Sequence, residues 1–126
     1  MVVFGGGDEG GGPAYLKSYI KGIDKKRFEI TYISLGRDTL AEELADDLAA
    51  VEVFRGRRGS MLGAVASLRL AIEHYEPDVI HTHGLRANFA GRLAGRARGV
   101  PVVTTVHSAI SRDYANPMKG IVATAL

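Results

Sequence analysis

The sequence contains no cysteine, and only four of its 126 residues are proline. Without cysteine, the chain has no disulfide scaffold, no cysteine-ligated zinc site and no thiol nucleophile. It also lacks any apolar run near the ~18 residues that a membrane-spanning helix requires. Its glycine-rich start does not have the pattern of a secretory signal. These absences indicate an ordinary globular domain that is held together by its hydrophobic core.

Neither sign of charge dominates the chain. Sixteen Lys and Arg against fourteen Asp and Glu give a formal net charge of +2, which is too even for a dedicated nucleic-acid binder. Hydrophobic residues make up 46% and charged residues 24%, which excludes a fibrous or wholly disordered protein. The length fits one domain with one core, and we expect no nucleic-acid partner.

Short apolar segments alternate with longer helical patterns along the chain. Strands are predicted at residues 2–4, 28–35, 51–54, 79–81 and 102–106, and helices from 13, from 39 to about 50, from 60 to 75 and from 85 to 98. Thr39 and Glu42 have capping-box spacing, Ser60 precedes an amphipathic stripe, and Gly99 follows the last helix. Val79-Ile80 and Val102-Val103 suit strands buried on both faces. The alternation predicts an α/β fold with a Rossmann-like parallel sheet and helices on both faces.

A glycine-rich segment, residues 5–12 (GGGDEGGG), joins the first predicted strand to the first helix. Glycines let a ligand approach the backbone, and the helix N-terminus offers free N–H groups to a phosphate. Gly5, Gly7 and Gly10 match G-x-G-x-x-G, but a dinucleotide site also requires an acidic residue after the second strand. Residues 34–36 are SLG. We therefore expect a phosphate-binding loop and no nicotinamide cofactor, with a loop that binds nothing as the alternative.

Histidines follow the last two predicted strands. His81 and His83 share one face because strand side chains alternate, and we expect His81 to be a deep, hydrogen-bonded residue and His83 to lie nearer the rim. His107 ends an apolar strand where parallel sheets bind ligands, so it is the stronger functional candidate. A metal site needs a further ligand, and no carboxylate accompanies the pair before Asp113. We expect no metal.

Two groups of basic and polar residues are further candidates. Arg86 and Asn88 begin the helix after the fourth strand and are expected to face the crevice, with a purely capping role as the alternative for Asn88. Arg55, Arg57 and Arg58 are the one concentrated basic segment, and they lead into the amphipathic helix. This combination docks on anionic membranes; a solvated loop beside a core-facing helix is the alternative.

Residues 78–108 (DVIHTHGLRANFAGRLAGRARGVPVVTTVHS) closely resemble the N-terminal domain of family-four retaining glycosyltransferases of the GT-B fold. The Gly10-Gly11 turn that opens a helix resembles the first loop of that family. Such enzymes have two Rossmann-like domains, of which the first binds mainly the acceptor and the second mainly the nucleotide sugar. The resemblance implies that residues 1–126 are an incomplete acceptor-side domain without the donor-binding C-terminal domain. Residues 118–126 also predict a helix that stops without a C-terminal signal.

The resemblance implies a role for particular residues. Gly10 and Gly11 correspond to the loop that faces the donor diphosphate, and His107 to the histidine that contacts the transferred sugar. The acceptor side of the crevice would be lined by four residues: Tyr15, His83, Arg86 and Asn88. Many members of the family have His at the position of Tyr15.

The implied protein is a cytoplasmic bacterial enzyme of glycan biosynthesis that can associate peripherally with the inner face of the membrane. It would transfer a sugar, with retention of configuration, from a nucleotide-sugar donor to a sugar, lipid or small-molecule acceptor, without a bound cofactor. This chain alone is expected to be inactive. Two alternatives stay open: a GT-B-type sugar-nucleotide epimerase, and a non-catalytic phosphate- or nucleotide-binding module.

Overall fold

A computed structural model describes residues 1–6, 11–36, 38–53 and 60–107. The elements follow one another as β1 (Val2–Phe4), α1 (Gly11–Gly22), β2 (Thr31–Ser34), α2 (Leu40–Glu43), a 3-10 helix (Ala45–Asp47), β3 (Ala50–Val53), α3 (Met61–Tyr75), β4 (Ile80–His83), α4 (Leu85–Arg98) and β5 (Val102–Thr105). The predicted alternation of strands and helices is confirmed. The helix predicted within 118–126 lies outside the described residues.

The five strands are parallel and lie in the order β3-β2-β1-β4-β5. β1 is central: Val2 pairs with Tyr32 of β2 on one side and with His81 of β4 on the other. The N-terminal ammonium donates a hydrogen bond to the Val79 carbonyl at 2.9 Å. Strand order reverses between β1 and β4, so the carboxyl ends of these strands flank the crevice in which such sheets bind ligands.

Helices cover both faces of the sheet and enclose two hydrophobic cores. Side chains alternate along β1, so Val3 faces one core while Val2 and Phe4 face the other. The first core joins α3 and α4 to the sheet and includes Leu68, Ile72, Ala90, Ala94, Ile33 and Ile80. The second joins α1 and the α2 region to the opposite face and includes Leu16, Ile20, Leu40, Leu44 and Tyr32. Burial of these apolar side chains is the main stabilising contribution to the fold.

α4 packs very close to the sheet because two of its positions carry no side chain. A Cβ at Gly91 would lie 2.4 Å from Cγ2 of Thr82, and one at Gly95 would lie 2.5 Å from Cγ2 of Val102. Real Cβ atoms do not approach so closely, so these glycines set the separation between helix and sheet. α4 ends as predicted, with Gly99 following its last residue.

α3 begins where it is predicted to begin. The second helix, however, is much shorter than the predicted helix from residue 39 to about residue 50. Ser60 Oγ accepts a hydrogen bond from Gly63 N at 3.0 Å and caps α3. α2, by contrast, has only four residues, and Thr39 before it makes no side-chain cap bond. Asp38 Oδ1 instead accepts a hydrogen bond from Leu40 N at 2.7 Å. A 3-10 helix, Ala45–Asp47, follows α2 where the prediction continued the helix to about residue 50, and β3 begins at Ala50, close to its predicted start.

Two strands differ from their predicted bounds by more than one residue at one end. The prediction of strand 28–35 is wrong at its start, because Phe28 N donates to the Asp24 carbonyl in a turn and the Phe28 side chain is 49% exposed. β4 is shifted towards the carboxyl side and ends at His83. The expected burial on both faces is also wrong: Val79 is 40% and Val103 is 52% exposed. Among the described elements, α1 and the α2 region pack over β1 and β2. They do not extend over β5, so the face of β5 that carries Val103 stays open.

Candidate functional site

The candidate site lies at the carboxyl ends of β1, β4 and β5. His83, the last residue of β4, pairs with Phe4 of β1 on one side and with Thr105 of β5 on the other. Its carbonyl accepts a hydrogen bond from Gly5 N at 3.0 Å. This bond joins the loop after β1 to the end of β4, and Gly84 then begins α4 as its N-cap. At the point where the strand order reverses, the loop after β1 and the end of β4 are therefore held together by a backbone hydrogen bond.

Three histidines follow one another across this edge of the sheet. His83 Nδ1 and His107 Nε2 form a hydrogen bond at 2.9 Å, and His81 Nε2 forms one with Thr105 Oγ1 at 2.7 Å. The ring centroids are 4.1 Å apart for His81 and His83, and 5.2 Å apart for His83 and His107. The structure thus brings the predicted residues His83 and His107 into direct contact.

Two tyrosines of α1, one turn apart, cover the histidines. The Tyr19 ring meets His81 edge-on at a centroid distance of 5.3 Å, and the Tyr15 ring meets His107 edge-on at 5.0 Å. Tyr15 also lies 5.8 Å from the ring of His83. These five residues form the aromatic–histidine cluster. Tyr15 remains 43% exposed, so part of its ring is open to a ligand.

The cluster holds at least two uncharged imidazoles at neutral pH. Burial lowers the pKa of His83 to about 3, and repulsion from His81 and His107 acts in the same direction. Burial is also the main cause of the lowered pKa of His81. A neutral imidazole has one N–H donor and one acceptor nitrogen. His81 and His83 therefore act through directed hydrogen bonds rather than through charge.

His83 is the buried histidine of the cluster, which corrects the expectation that His81 lies deeper. The side chain of His83 is 0% exposed, whereas His81 is only half-buried. The rings of Tyr15 and His107 cover His83 although it ends the strand. His81 pairs in register with Val103, on the open face of β5. The predicted hydrogen bonding of His81 is confirmed.

The loop after β1 crosses the loop after β2 with their backbones in contact. A Cβ at Gly6 would lie 2.7 Å from the Cα of Gly36, and Gly6 has a φ of 91°. Both the space and the backbone conformation therefore require glycine at position 6. The contact holds the start of the glycine-rich segment against the sheet.

The N-terminus of α1 lies beside His107. Gly11 is the first residue of the helix and is exposed, with nothing near the position that a Cβ would take. A Cβ at Gly12 would lie 3.8 Å from Cδ2 of His107. The first N–H groups of a helix have no intrahelical partner, so this end can donate to an oxygen ligand. Gly10 lies outside the described residues.

Arg86 and Asn88 lie in the first turns of α4. Arg86 is half-buried and its Nη2 donates to the Ser60 carbonyl at 3.2 Å, which connects α4 to the start of α3. Asn88 is only 8% exposed, and its Oδ1 has no hydrogen-bond partner among the described residues. The capping alternative for Asn88 is wrong, because Gly84 occupies the N-cap position.

The predicted basic membrane contact has no geometric description. Arg55, Arg57 and Arg58 lie outside the described residues. Within the described ranges, no helix is long and apolar enough to cross a membrane, and no three side chains form a group that could hold a metal ion.

Sequence reasoning missed two residues of the site, Tyr19 and Thr105. Tyr19 contacts the rings of both His81 and His83, and Thr105 holds His81 through a hydrogen bond. Tyr19 lies four residues after Tyr15, which places both on one face of the helix. This spacing was the available signal for Tyr19. Thr105 pairs with His83 across the strands, and only the strand order reveals that.

Comparison with known proteins supports a specific family. The model of Glycosyltransferase Family 4 matches residues 9–125. The fold matches Anabaena HepE, crystallised in complex with UDP, with a TM-score of 0.76 and 21% identity over 98% of this chain and 33% of that chain. The complex of HepE with UDP and glucose gives a TM-score of 0.74 and 21% identity over 98% and 34% of the two chains.

A glycosyltransferase from Rickettsia africae also has this fold, with a TM-score of 0.66 and 17% identity over 93% of this chain and 34% of that chain. No curated protein is significantly similar in sequence. The chain spans about a third of the solved chains it matches. The predicted Rossmann-like architecture is confirmed.

Proposed function

The chain belongs to glycosyltransferase family 4, and from this premise we propose that it supplies the acceptor-side, N-terminal domain of an enzyme that transfers a sugar from a nucleotide-sugar donor with retention of configuration. The observation that carries the proposal is the hydrogen-bonded pair of His83 and His107 beside the N-terminus of α1. It lies where a parallel sheet of this strand order binds ligands.

The donor in this proposal is a nucleoside-diphosphate sugar. The HepE structures contain UDP, and UDP with glucose, which supports this class of donor. Gly10 and Gly11 correspond to the family's donor-diphosphate loop, and α1 begins at Gly11, where a helix N-terminus favours negative charge. The remaining donor contacts come from a second domain outside residues 1–126.

The acceptor occupies the side of the crevice formed by α1 and the start of α4. Of the four residues assigned to the acceptor side, Tyr15 is the most exposed, so it is the residue that we expect to contact the acceptor. His83, Arg86 and Asn88 are more buried, and they shape the wall behind it. The acceptor is a sugar, a lipid or a small molecule that carries a free hydroxyl group.

The residues of this chain act by orientation and by electrostatics. His107 donates a hydrogen bond to the transferred sugar and fixes it relative to the acceptor hydroxyl, which lowers the entropic cost of reaching the transition state. The N–H groups of α1 stabilise the negative charge that develops on the leaving diphosphate. The proposal includes no resident cofactor or metal ion.

The basic segment of Arg55, Arg57 and Arg58 provides a peripheral contact with anionic lipid at the cytoplasmic face of a membrane. Each basic residue near such a surface contributes on the order of 1 kcal/mol, and salt screens the attraction. Co-sedimentation with vesicles should therefore require anionic lipid and should weaken when the three arginines are replaced by glutamine. Equal binding to neutral vesicles would contradict this contact.

The test of the main proposal is an assay of the gene product that includes the second domain. Nucleotide sugars are supplied with membrane and glycan acceptors, and the products are separated and their anomeric configuration is determined by NMR. We expect release of the nucleoside diphosphate together with a retained glycosidic bond, and we expect H107A to lower turnover. H74A is the matched control, because His74 is exposed and lies on α3.

Other products would indicate a different function. Conversion of the nucleotide sugar to its epimer, without glycoside formation, would identify the epimerase. Binding of the nucleotide sugar without any turnover, by protein that includes the second domain, would identify a non-catalytic module. The same activity in H107A as in H74A would remove His107 from the proposed site.

A further inference from the structure

The hydrogen bond between the two site histidines constrains where their protons lie. It joins Nδ1 of His83 to Nε2 of His107 at 2.9 Å. A neutral imidazole has one N–H and one lone pair, so one of these two nitrogens must donate and the other must accept. The direction of this single bond therefore sets the tautomer of both rings.

The other nitrogen of His83 decides the direction. Nε2 of His83 is buried, and no residue in the described part of the chain gives it a hydrogen-bond partner. If His107 donated, the hydrogen of His83 would have to lie on this buried Nε2. If His83 donates, Nε2 carries only a lone pair. A buried N–H without an acceptor is rarer and less favourable than a bare acceptor, so His83 is the donor.

The direction of this bond also determines the state of Nδ1, the other ring nitrogen of His107. With its Nε2 lone pair engaged by His83, the hydrogen of the neutral ring lies on Nδ1. The Cδ2 edge of the ring faces Gly12 of α1, so Nδ1 lies on the opposite edge. His107 as a residue is exposed. We propose that His83 is a positioning residue that fixes His107 as the Nδ1–H tautomer and thereby makes it a hydrogen-bond donor to the ligand.

No other described group competes for this role. His81 directs its Nε2 to Thr105, and Tyr15 and Tyr19 meet the histidines through ring contacts. No carboxylate among the described residues is hydrogen-bonded to either ring of the pair. The tautomer of His107 therefore depends on His83.

The inference specifies the chemistry of the ligand atom, and it rests on the proposed function only for the identity of that ligand. An Nδ1–H group recognises an oxygen lone pair, such as that of a sugar hydroxyl or a phosphate. The same nitrogen cannot take a proton from an acceptor hydroxyl, because it already carries one. His107 in this state orients the ligand and is not a general base.

The test measures the tautomer directly, without substrate. The sequence has four histidines, so long-range ¹H–¹⁵N spectra of the full chain at neutral pH can be assigned by single replacements. We expect Nδ1 of His107 to give the shift of a protonated nitrogen and Nε2 that of an unprotonated one. His74, an exposed residue on α3 outside the cluster, is the internal reference to which the pattern of His107 is compared.

Two variants test the dependence on His83. H83L removes the donor, and we expect His107 to lose the Nδ1–H tautomer as its main form and to approach the His74 pattern. H83N keeps an N–H donor near the position of Nδ1 and should preserve the wild-type pattern.

Several outcomes would overturn the proposal. They are a wild-type His107 protonated on Nε2, an unchanged tautomer in a folded H83L chain, and a His107 in H83N that resembles His74. If H83L does not fold, the wild-type spectrum and H83N decide the result. Because no sugar transfer is measured, these outcomes are independent of the proposed activity.

Discussion

Acid should destabilise the folded chain through His83, because its buried imidazole takes up a proton less readily than in the unfolded chain. Burial lowers the pKa of this imidazole from 6.5 to about 3. The unfolded chain therefore binds a proton at His83 below pH 6.5, and the folded chain does not until about pH 3. The stability from the neutral ring is fully present above pH 6.5, and it is lost as the pH falls.

The size of this effect follows from the difference between the two pKa values. Each pH unit between them costs about 1.4 kcal/mol of unfolding free energy. Acidification from pH 7.5 to pH 5 should therefore remove about 2 kcal/mol through His83, which is a large part of the ~5–15 kcal/mol of an ordinary domain. The lowered pKa of His81 acts with the same sign. The lowered pKa values of Glu43 and Asp47 act only at lower pH, below 4.5 and 3.8.

Urea unfolding of the wild type, H83N and H74A at several pH values between 5 and 7.5 measures this difference. H83N cannot titrate at position 83, so its loss of stability over this range should be smaller than that of the wild type by about 2 kcal/mol. H74A is the control, because it removes an exposed histidine that lies outside the cluster. Superimposable pH profiles for the wild type and H83N would refute the reasoning, since they would show that His83 takes up its proton equally in both states.

Three further predictions concern packing, capping and activity. G91A should lower the unfolding free energy by about 1–3 kcal/mol in denaturant titrations, because its Cβ would clash with Thr82. G22A is the control and should not lower it, because position 22 has open space around it. Equal stability of the two variants would contradict the close packing of α4. S60A should cost about 1 kcal/mol in the same assay through loss of the α3 cap, whereas no loss would show that the cap contributes nothing. H107A should lower turnover of the protein with its second domain by about 10²-fold and leave its circular dichroism spectrum unchanged; an unfolded H107A would assign the residue to stability.

The sequence predicted which segments of the chain are strands and which are helices, because hydrophobic periodicity and caps are local signals. Ser60 and Gly99 bound their helices as predicted, since each acts within a few residues of its own position. Thr39 shows the limit of such signals. Its spacing to Glu42 matched a capping box, yet its side chain makes no cap bond and the helix gives way to a 3-10 helix after four residues.

The candidate site was predicted in its composition but not in its geometry. Alternation placed His81 and His83 on one face, but it could not show what covers that face. The cover of His83 comes from Tyr15 on α1 and from His107 after β5, and both depend on which strands are neighbours. The bond between the two histidines is likewise a contact across 24 residues, which no local pattern contains.

The central position of β1 has a consequence for the time course of folding. β1 is synthesised before β4, but the hydrogen bond from the Met1 nitrogen to the Val79 carbonyl joins groups 78 residues apart. Such contacts require the closure of a long loop before they contribute any stability, which slows folding. β1, α1 and β2 can associate early on the ribosome, since domains begin to fold as the chain emerges. The histidine pair forms only after β5 has joined β4, because only then does His107 reach His83.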